Sequence, residues 1–267
     1  MAAMIHRAGG SFVLHEKGRQ HFWKGSHLLS IKTFLGGQAH YDTGRGSYLV
    51  KDGSYLVLND GQPYAITLES RRAVESFCLF FEPGLADDVR RSSTDAPESL
   101  LDDPGTRLTG TTFIERTYPL SGDIALRISD LKDLLAEAPR GQEQLQERLH
   151  GILECLLSTQ LALIPEMNRM KAVKASTREE LYRRLHRARD FMAASFQSTL
   201  RLEDIAGVAC LSPNHFLRSF KQVFGLSPHQ YLTRLRLEEA RQLLEQSDLS
   251  VTEICLSVGF ESHGSFS

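Results

Sequence analysis

Residues 11–82 carry their apolar and aromatic side chains in short runs separated by turn residues. The pairs Asp52-Gly53 and Asp60-Gly61 suit tight two-residue hairpins between such runs. Many short strands at close spacing are typical of a β-sandwich or a small barrel. The five clearest runs cover residues 28–31, 48–50, 55–58, 64–68 and 76–81.

From residue 121 onward the apolar residues recur at helical spacing, in two stripes that a short loop separates. The pattern predicts a helical hairpin that either covers the barrel or pairs two protomers. The breadth of the leucine-rich second stripe favours dimerisation through residues 118–167. The first stripe contains Ile124, Ile128, Leu131 and Leu135, and the second contains Leu145, Leu149, Ile152, Leu153, Leu156 and Leu157.

A polar segment, residues 168–176, is the predicted linker between two domains. Directly after it, Thr177 and Glu180 have the spacing of a capping box, which predicts a helix from Thr177 to about Ser195. The predicted first domain covers residues 1–117, the hairpin covers residues 118–167, and the second domain covers residues 177–267.

Residues 202–224 contain two short amphipathic helices joined by a tight turn. Ser212 and Pro213 suit the N-cap and the first position of the second helix. This arrangement predicts a helix-turn-helix unit, although an antiparallel helix pair in a bundle would give the same pattern. The apolar positions are Leu202, Ile205, Ala206 and Ala209 in the first helix, and Phe216, Phe220 and Phe224 in the second.

The second helix of this unit has an outer face suited to reading DNA. Packing turns Phe216 and Phe220 inward, so the opposite face points outward. Asparagine and arginine side chains can make paired hydrogen bonds to adenine and guanine edges in the major groove. The residues on this outer face are Asn214, Leu217, Arg218 and Lys221.

The first helix and its turn are repeated 49 residues later in the chain. Ile205 and Ala206 correspond to Ile254 and Cys255, and the turn residue Cys210 corresponds to Gly259. With one residue inserted in the second turn, Ser212 corresponds to Ser262 and Phe216 to Phe266. The repeat predicts a second helix-turn-helix unit.

A long helix is predicted between the two units. Gly225 suits the left-handed end of the helix before it, and Ser227-Pro228 suits its start. With Tyr231, Leu232, Arg236, Leu237 and Ala240 along the helix, the combination closely resembles the DNA-binding domain of AraC/XylS-type transcriptional regulators. In that family, two helix-turn-helix units held by one long helix read successive turns of the major groove.

The strand-rich first part resembles the cupin-like effector-binding barrel of many such regulators. The resemblance implies a two-domain α+β chain: a cupin-like barrel with a helical hairpin, then an all-α domain with two helix-turn-helix units. It implies a sequence-specific regulator of transcription, activator or repressor, and not an enzyme. We expect a cytoplasmic homodimer that binds double-stranded DNA and a small-molecule effector without a cofactor, with RNA polymerase as a further candidate partner.

Three sets of candidate site residues follow from this interpretation. Helix N-termini and a lysine suit phosphate contacts, and barrel aromatics suit an effector pocket, although any one of those aromatics taken singly fits an ordinary core or cross-strand position better. The predicted base contacts are Asn214, Leu217, Arg218, His263, Ser265 and Ser267. The predicted phosphate contacts are Ser212, Lys221 and Ser262. The predicted pocket residues are Phe34, His40, Tyr41, Tyr48, Tyr55 and Tyr64.

The charge distribution fits a nucleic-acid partner better than the total charge does. The chain carries a formal net charge of −2, but residues 171–221 contain 10 basic and 5 acidic side chains. Attraction to phosphates needs only a local basic face. A solvated helix surface with mixed charges would explain part of the same excess.

The remaining patterns narrow the class of protein. No apolar run is long enough for a membrane span, no secretory signal is present, and four isolated cysteines suit reduced thiols. The histidines do not form the His-x-His pair of metal-binding cupins, which disfavours a metal site. Two alternatives stay open: a metal-dependent cupin enzyme, and a truncated regulator that dimerises without binding DNA. The second arises because the sequence stops at Ser267, partway through the predicted second recognition helix.

Overall fold

The computed structural model describes residues 3–94, 110–137, 141–170 and 174–260. The chain divides into two compact units, one formed by residues 1–44 and 49–165 and the other by residues 45–48 and 166–267. The first unit is built mainly of strands and the second of helices, as the sequence predicts. Within the described residues, no helix is both long and apolar enough to cross a membrane.

The described strands form one eight-stranded sheet in the order β1-β2-β7-β3-β6-β8, with β4 paired to β5 and β7. The long strands β2 and β7 run antiparallel along almost their whole length, from Phe12 opposite Phe80 to Ser26 opposite Pro63. The strands are β1 (Met4–Ala8), β2 (Ser11–Ser26), β3 (Ser30–Leu35), β4 (Gln38–Asp42), β5 (Ser47–Lys51), β6 (Ser54–Leu58), β7 (Pro63–Phe80) and β8 (Thr117–Pro119).

Strand β7 organises the sheet because it pairs with β2 along one edge and with both β3 and β4 along the other. Side chains alternate between the two faces of a strand. On β7, Phe77 and Leu79 therefore point to one face, and Cys78 and Phe80 point to the opposite face. Both faces are largely buried at this end of the strand, so the sheet carries a core on one side and the cavity described below on the other.

The described part of the first unit also contains the helices α1 (Leu85–Thr94), α2 (Gly122–Glu137) and α3 (Gln142–Leu161). The predicted hairpin is formed by α2 and α3, and α3 also packs against α1 and β1. Most of both apolar stripes, including Ile128, Leu149 and Leu153, is buried within a single protomer. The leucine-rich stripe is thus explained by intramolecular packing, and it does not itself provide a dimer surface.

The second unit contains α5 (Ala175–Ala194), α6 (Leu202–Val208), α7 (Pro213–Phe224), α8 (Pro228–Gln246) and α9 (Val251–Ser257), preceded by the short helix α4 (Ile164–Asn168). The predicted start of the long helix is confirmed, because Ser227 and Gln230 form a capping box at the N-terminus of α8. Gly225 ends α7 in the left-handed conformation, with φ of 74°.

The predicted capping box at Thr177 is wrong, since α5 begins two residues earlier, at Ala175. The amide of Arg178 already donates a helical hydrogen bond to the carbonyl of Lys174. The carboxylate of Glu180 does not reach back toward Thr177. It accepts a hydrogen bond of 2.7 Å from Arg184, one turn later on the same helix.

The predicted 49-residue repeat is present in the backbone of both turns. At the end of α6, Leu211 N donates to Ala206 O and Cys210 N donates to Gly207 O. At the end of α9, the amides 49 residues later, those of Phe260 and Gly259, donate to the equivalent carbonyls. This pair of hydrogen bonds is the Schellman motif, which requires a left-handed residue after the helix. Cys210 and Gly259 hold that position, with φ of 51° and 94°.

The loop between α5 and α6 is held by two contacts. Arg236 of α8 donates to the carbonyls of Phe196 and Ser198, at 2.8 and 3.0 Å. Gly259 lies so close to the same loop that a Cβ atom there would be 2.7 Å from the carbonyl oxygen of Gln197. Arg236 and Gly259 thus connect the loop that precedes the first helix-turn-helix to α8 and to the turn of the second helix-turn-helix.

Candidate nucleic-acid interface and ligand cavity

The candidate recognition helix is α7, the second helix of the first helix-turn-helix. Ser212 occupies its N-cap with extended backbone, and Pro213 takes the first helical position, where its missing N–H leaves no hydrogen bond unmade. The Ser212 side chain makes no capping hydrogen bond. The exposed Ser212 thus stands at the N-terminus of α7, where backbone amides favour an anion.

Aromatic packing fixes the rotation of α7 about its axis. Phe216 and Phe220 are fully buried, with ring centroids 5.3 Å apart. Phe220 also contacts Phe224 and, at 5.7 Å, Tyr231 of α8. Burial raises the pKa of Tyr231 to about 12, so this aromatic cluster stays neutral at physiological pH.

The outer face of α7 carries the residues predicted to contact DNA. Asn214, Arg218 and Lys221 are exposed, and Leu217 is half-buried at the edge of this face. His215 and Gln222 are also exposed, although they are not among the predicted DNA contacts. Helical spacing could have found both, because they lie three residues before and four residues after Arg218. Gln222 donates to the carbonyl of Arg169, so its amide group already has a partner.

The cations on this face differ from other arginines of the second unit. Arg183, Arg184, Arg234 and Arg241 each pair with a glutamate four residues away on the same helix. Arg218 and Lys221 form no ion pair and no side-chain hydrogen bond with any residue that the structure describes. Their charges are therefore available to an external anion.

The predicted contacts of the second helix-turn-helix, Ser262, His263, Ser265 and Ser267, lie outside the described residues. The structure describes α9 and its turn up to Phe260. Ser250 and Glu253 form a capping box at the start of α9, and Ile254, Cys255 and Val258 pack with Ala240 of α8. The first helix of the second helix-turn-helix, α9, is thus anchored to the long helix α8.

The first unit contains a cavity of about 640 Å³ on one face of the sheet. Strand alternation determines its lining, because the seven cavity residues of β7 are all even-numbered. Most of the remaining wall comes from β1, β2, β3 and β4. The β7 residues are Tyr64, Ile66, Leu68, Val74, Ser76, Cys78 and Phe80. A cavity of this size and mainly apolar lining is typical of a small-molecule site.

Lys32 of β3 is the most unusual residue of the cavity wall. Its side chain is buried, and its Nζ donates to the Tyr64 hydroxyl at 3.2 Å and lies 3.7 Å from the centre of the Phe80 ring. Burial lowers the pKa of Lys32 to about 8, and the nearby Cys78 thiol opposes this shift. Burial also raises the pKa of Tyr64 and of Cys78.

Three of the six predicted pocket residues, Phe34, Tyr41 and Tyr64, line the cavity, and His40, Tyr48 and Tyr55 do not. His40 is exposed because it neighbours the inward-facing Tyr41 on β4. Tyr48 of β5 is buried away from the cavity wall.

Tyr55 faces the opposite side of the sheet from the cavity. It pairs directly with Thr33, whose side chain points away from that of its neighbour Lys32. The Tyr55 ring stacks on that of Tyr118, with ring centroids 5.1 Å apart. Whether a side chain faces the cavity depends on which residues pair between strands, and the positions of aromatic residues in the sequence do not give that pairing.

The described residues contain no group of three His, Cys, Asp or Glu side chains that could hold a metal ion. The histidines of the strands have other neighbours. His15 pairs with Glu75 at 3.3 Å, and His21 lies 3.9 Å from the carboxylate of Glu16.

Comparison with known proteins assigns both units. The family model of the AraC-like ligand binding domain matches residues 10–153, and a helix-turn-helix domain family matches residues 205–267. The transcriptional activator RhaS of Escherichia fergusonii is 46% identical over 72 residues, which cover 27% of this chain and 26% of that protein. The melibiose operon regulatory protein of Escherichia coli strain K12 is 33% identical over 76 residues, which cover 28% of this chain and 25% of that protein.

These two matches span about a quarter of each relative's own length. Among solved structures, the AraC-like transcriptional activator CuxR is 17% identical with a TM-score of 0.41, over 90% of this chain and 80% of that chain. The ligand-binding family model alone covers more than half of the 267 residues. The chain therefore belongs to the AraC family of transcriptional regulators.

Proposed function

We propose that this protein is a sequence-specific DNA-binding regulator of transcription, controlled by a small molecule that binds in the sheet cavity. The outer face of α7 carries the proposal. Arg218 and Lys221 project from a helix-turn-helix and have no ion-pair partner among the described residues, and Asn214 lies exposed in the first turn of the same helix. Exposed, unpaired cations around hydrogen-bonding side chains on such a helix are the features by which proteins recognise duplex DNA.

In this proposal, α7 lies in the major groove. Asn214 and Arg218 contact base edges, and Leu217 contacts a thymine methyl group. Lys221 and the backbone amides beside Ser212 contact phosphates, which fix the orientation of the helix without reading sequence. In the next turn of the groove, the second helix-turn-helix places His263, Ser265 and Ser267 at bases and Ser262 at a phosphate.

A ligand can control DNA binding only if it binds with different affinities to the conformations that can and cannot bind DNA. A tenfold change in DNA affinity corresponds to a coupling free energy of about 1.4 kcal/mol. The cavity provides the site where such a difference could arise, because a ligand there would contact β2, β3, β4 and β7 together.

We also propose that the regulator acts as a homodimer and that it contacts RNA polymerase when it activates transcription. The leucine-rich stripe of α3 is buried within the protomer, so we assign the dimer surface to the outer face of the α2–α3 hairpin. Leu126 of α2 is 66% exposed on that face, among side chains of both charges that include Arg127 and Glu154.

Selection of bound duplexes from a random library tests the proposed function on the intact chain. Successive rounds should enrich one common motif, and the enrichment should require Arg218. Recovery of unrelated sequences, with affinity that depends on salt alone, would contradict a sequence-specific regulator.

A further inference from the structure

Lys32 is a buried cation that has no anionic partner among the described residues. Its side chain is 2% exposed, and the contacts of its Nζ are the Tyr64 hydroxyl and the rings of Tyr64 and Phe80. No carboxylate among the described residues forms an ion pair with it. Burying an ammonium group without an opposite charge is costly, so an anion in the cavity would bind favourably at this point.

The other charges of the cavity wall agree with an anionic ligand. Arg7 and Lys17 are further cations of the lining. The lining also includes the carboxylate of Glu16, which lies 3.9 Å from His21 Nδ1 and so has a neighbour of its own. The potential in the cavity is therefore positive on balance, which attracts an anion.

The rest of the lining suits an apolar body. Rings and aliphatic side chains from three strands surround the space next to Lys32, and the cavity volume lies in the range of ordinary small-molecule sites. These residues are Phe12, Leu14, Trp23, Phe34, Ile66 and Leu68. Lys32 and Tyr64 offer one ammonium and one hydroxyl group, a donor set that matches a carboxylate better than a phosphate, which has more oxygens to satisfy.

We propose that the cavity binds a small organic carboxylate with an aromatic or aliphatic body, whose carboxylate pairs with Lys32 Nζ and accepts a hydrogen bond from the Tyr64 hydroxyl. Its body lies against Trp23, Phe34 and Leu68. This inference rests on the proposed function only in naming the ligand as the effector, since the binding itself does not involve DNA. An opposite charge at Lys32 would also restore its pKa toward the ordinary lysine value.

The protein contains its own reporter for this site. Trp23 is the sole tryptophan of the sequence, and it lines the cavity with its ring centroid 4.9 Å from that of Tyr64. A ligand beside Tyr64 would change the environment of that indole. Tryptophan fluorescence of the intact chain therefore measures occupancy of this cavity directly.

The experiment titrates the intact chain with benzoate, 3-phenylpropanoate, 2-naphthoate and octanoate, each compared with its neutral amide. At least one carboxylate should change Trp23 fluorescence saturably and bind about tenfold more tightly than its amide, because a buried charge pair distinguishes the two. The inference is wrong if none of the four carboxylates binds more tightly than its amide.

Two variants test the assignment to Lys32. Lys32→Met should lower the affinity for the best carboxylate about tenfold or more and leave the affinity for its amide unchanged, which also shows that the cavity is intact. Lys51→Met is the control, because it removes an exposed cation of β5 that does not line the cavity, and it should change either affinity less than about threefold. Equal carboxylate affinity in Lys32→Met and the unmodified chain would overturn the inference.

Two further observations would contradict a charge pair. If aldehydes bind in place of carboxylates and borohydride fixes them to Lys32, the site forms an imine, with loss of water, and the inference is wrong. A chain that selects a DNA motif but does not prefer carboxylates would refute this inference alone. Carboxylate binding through Lys32 without any selected DNA motif would refute the proposed function alone.

Discussion

Cys210 adopts a left-handed backbone conformation that L-residues other than glycine seldom take. Its φ is 51°, and it is the one residue other than glycine with positive φ among the described residues. In the equivalent turn 49 residues later, the position is held by Gly259. The Cys210 side chain is exposed, so little packing offsets the conformational cost. The two hydrogen bonds of the Schellman motif, donated by Cys210 and Leu211, hold the turn nonetheless.

We predict that Cys210→Gly raises the free energy of unfolding by about 1 kcal/mol. Glycine relieves the left-handed strain of the folded chain, and the larger entropy of glycine in the unfolded chain offsets part of that gain. Chemical denaturation of the intact chain measures this change. Cys210→Ala is the control, because it keeps the strain and removes only the sulfur. If alanine stabilised the chain as much as glycine does, the backbone explanation would be wrong.

Lys32 shows why one important residue of the cavity is hidden in the sequence. The segment Ile31-Lys32-Thr33-Phe34 places one apolar and one polar residue on each face of a strand, so its pattern assigns neither face to the interior. In the structure, β3 is central and buried on both faces. A lysine that reads as exposed therefore lies inside, and no local pattern distinguishes the two cases.

Lys32 should also make stability depend on pH. Its pKa is about 8 in the folded chain and returns toward the ordinary value of 10.5 on unfolding. Between these values the unfolded chain binds more protons, so the lysine's contribution to stability becomes more favourable as pH rises. Below pH 8 the lysine is charged in both states, and its burial is a constant cost.

We predict that Lys32→Met is more stable than the unmodified chain by about 1 to 3 kcal/mol at neutral pH. This advantage should shrink between about pH 8 and pH 10. Denaturation of both proteins across that range measures the difference in stability between them. Cys78 and Tyr64 have raised pKa values, which make stability fall as pH rises. Because both proteins contain these two groups, the difference reports on Lys32. An advantage that does not vary with pH would contradict a titrating Lys32.

At the scale of elements, the sequence predicts helices and strands well where one face of each is buried. The end of α7, the turn after α9 and the starts of α7 and α8 agree with the sequence because glycine, serine and proline determine their backbone locally. The start of α5 differs because Ala175 is a strong helix former and the helix begins there, so Thr177 lies within it. For the pocket aromatics, the side of the sheet depends on pairing between distant strands.

The recognition helix allows a prediction that separates reading of bases from attraction to phosphates. Arg218→Ala should weaken binding to the selected duplex by about 1 to 3 kcal/mol and relax specificity at one base position. Lys221→Ala should weaken binding to all sequences about equally and reduce the dependence of affinity on salt. Affinities of both variants for selected and scrambled duplexes measure this contrast. An equal loss of both affinities in Arg218→Ala would show that Arg218 contacts a phosphate.

At the scale of the whole molecule, the order of a strand-rich unit and a helical unit follows from the change of hydrophobic period along the chain. The assembly does not follow in the same way. A leucine stripe is buried equally well by its own protomer or by a partner, and here the protomer buries it. Only the packing of the folded chain distinguishes a stripe that its own protomer buries from one that a partner buries.

We predict that the intact chain sediments as a dimer at micromolar concentration and that Leu126→Asp raises the dissociation constant of that dimer about tenfold, because it places a charge in an apolar contact. Leu35→Asp is the matched control, since Leu35 is 53% exposed on the sheet, outside the hairpin. A monomer at this concentration, or equal effects of the two substitutions, would contradict the assigned surface.

If this chain reads a DNA sequence through α7, its affinity must depend strongly on that sequence. The most direct measurement is the ratio of dissociation constants for the selected duplex and a scrambled duplex of equal length, taken with the intact chain at one physiological salt concentration. We predict that the selected duplex binds at least about a thousandfold more tightly. A ratio near one, with affinity that falls steeply as salt increases, would contradict the claim.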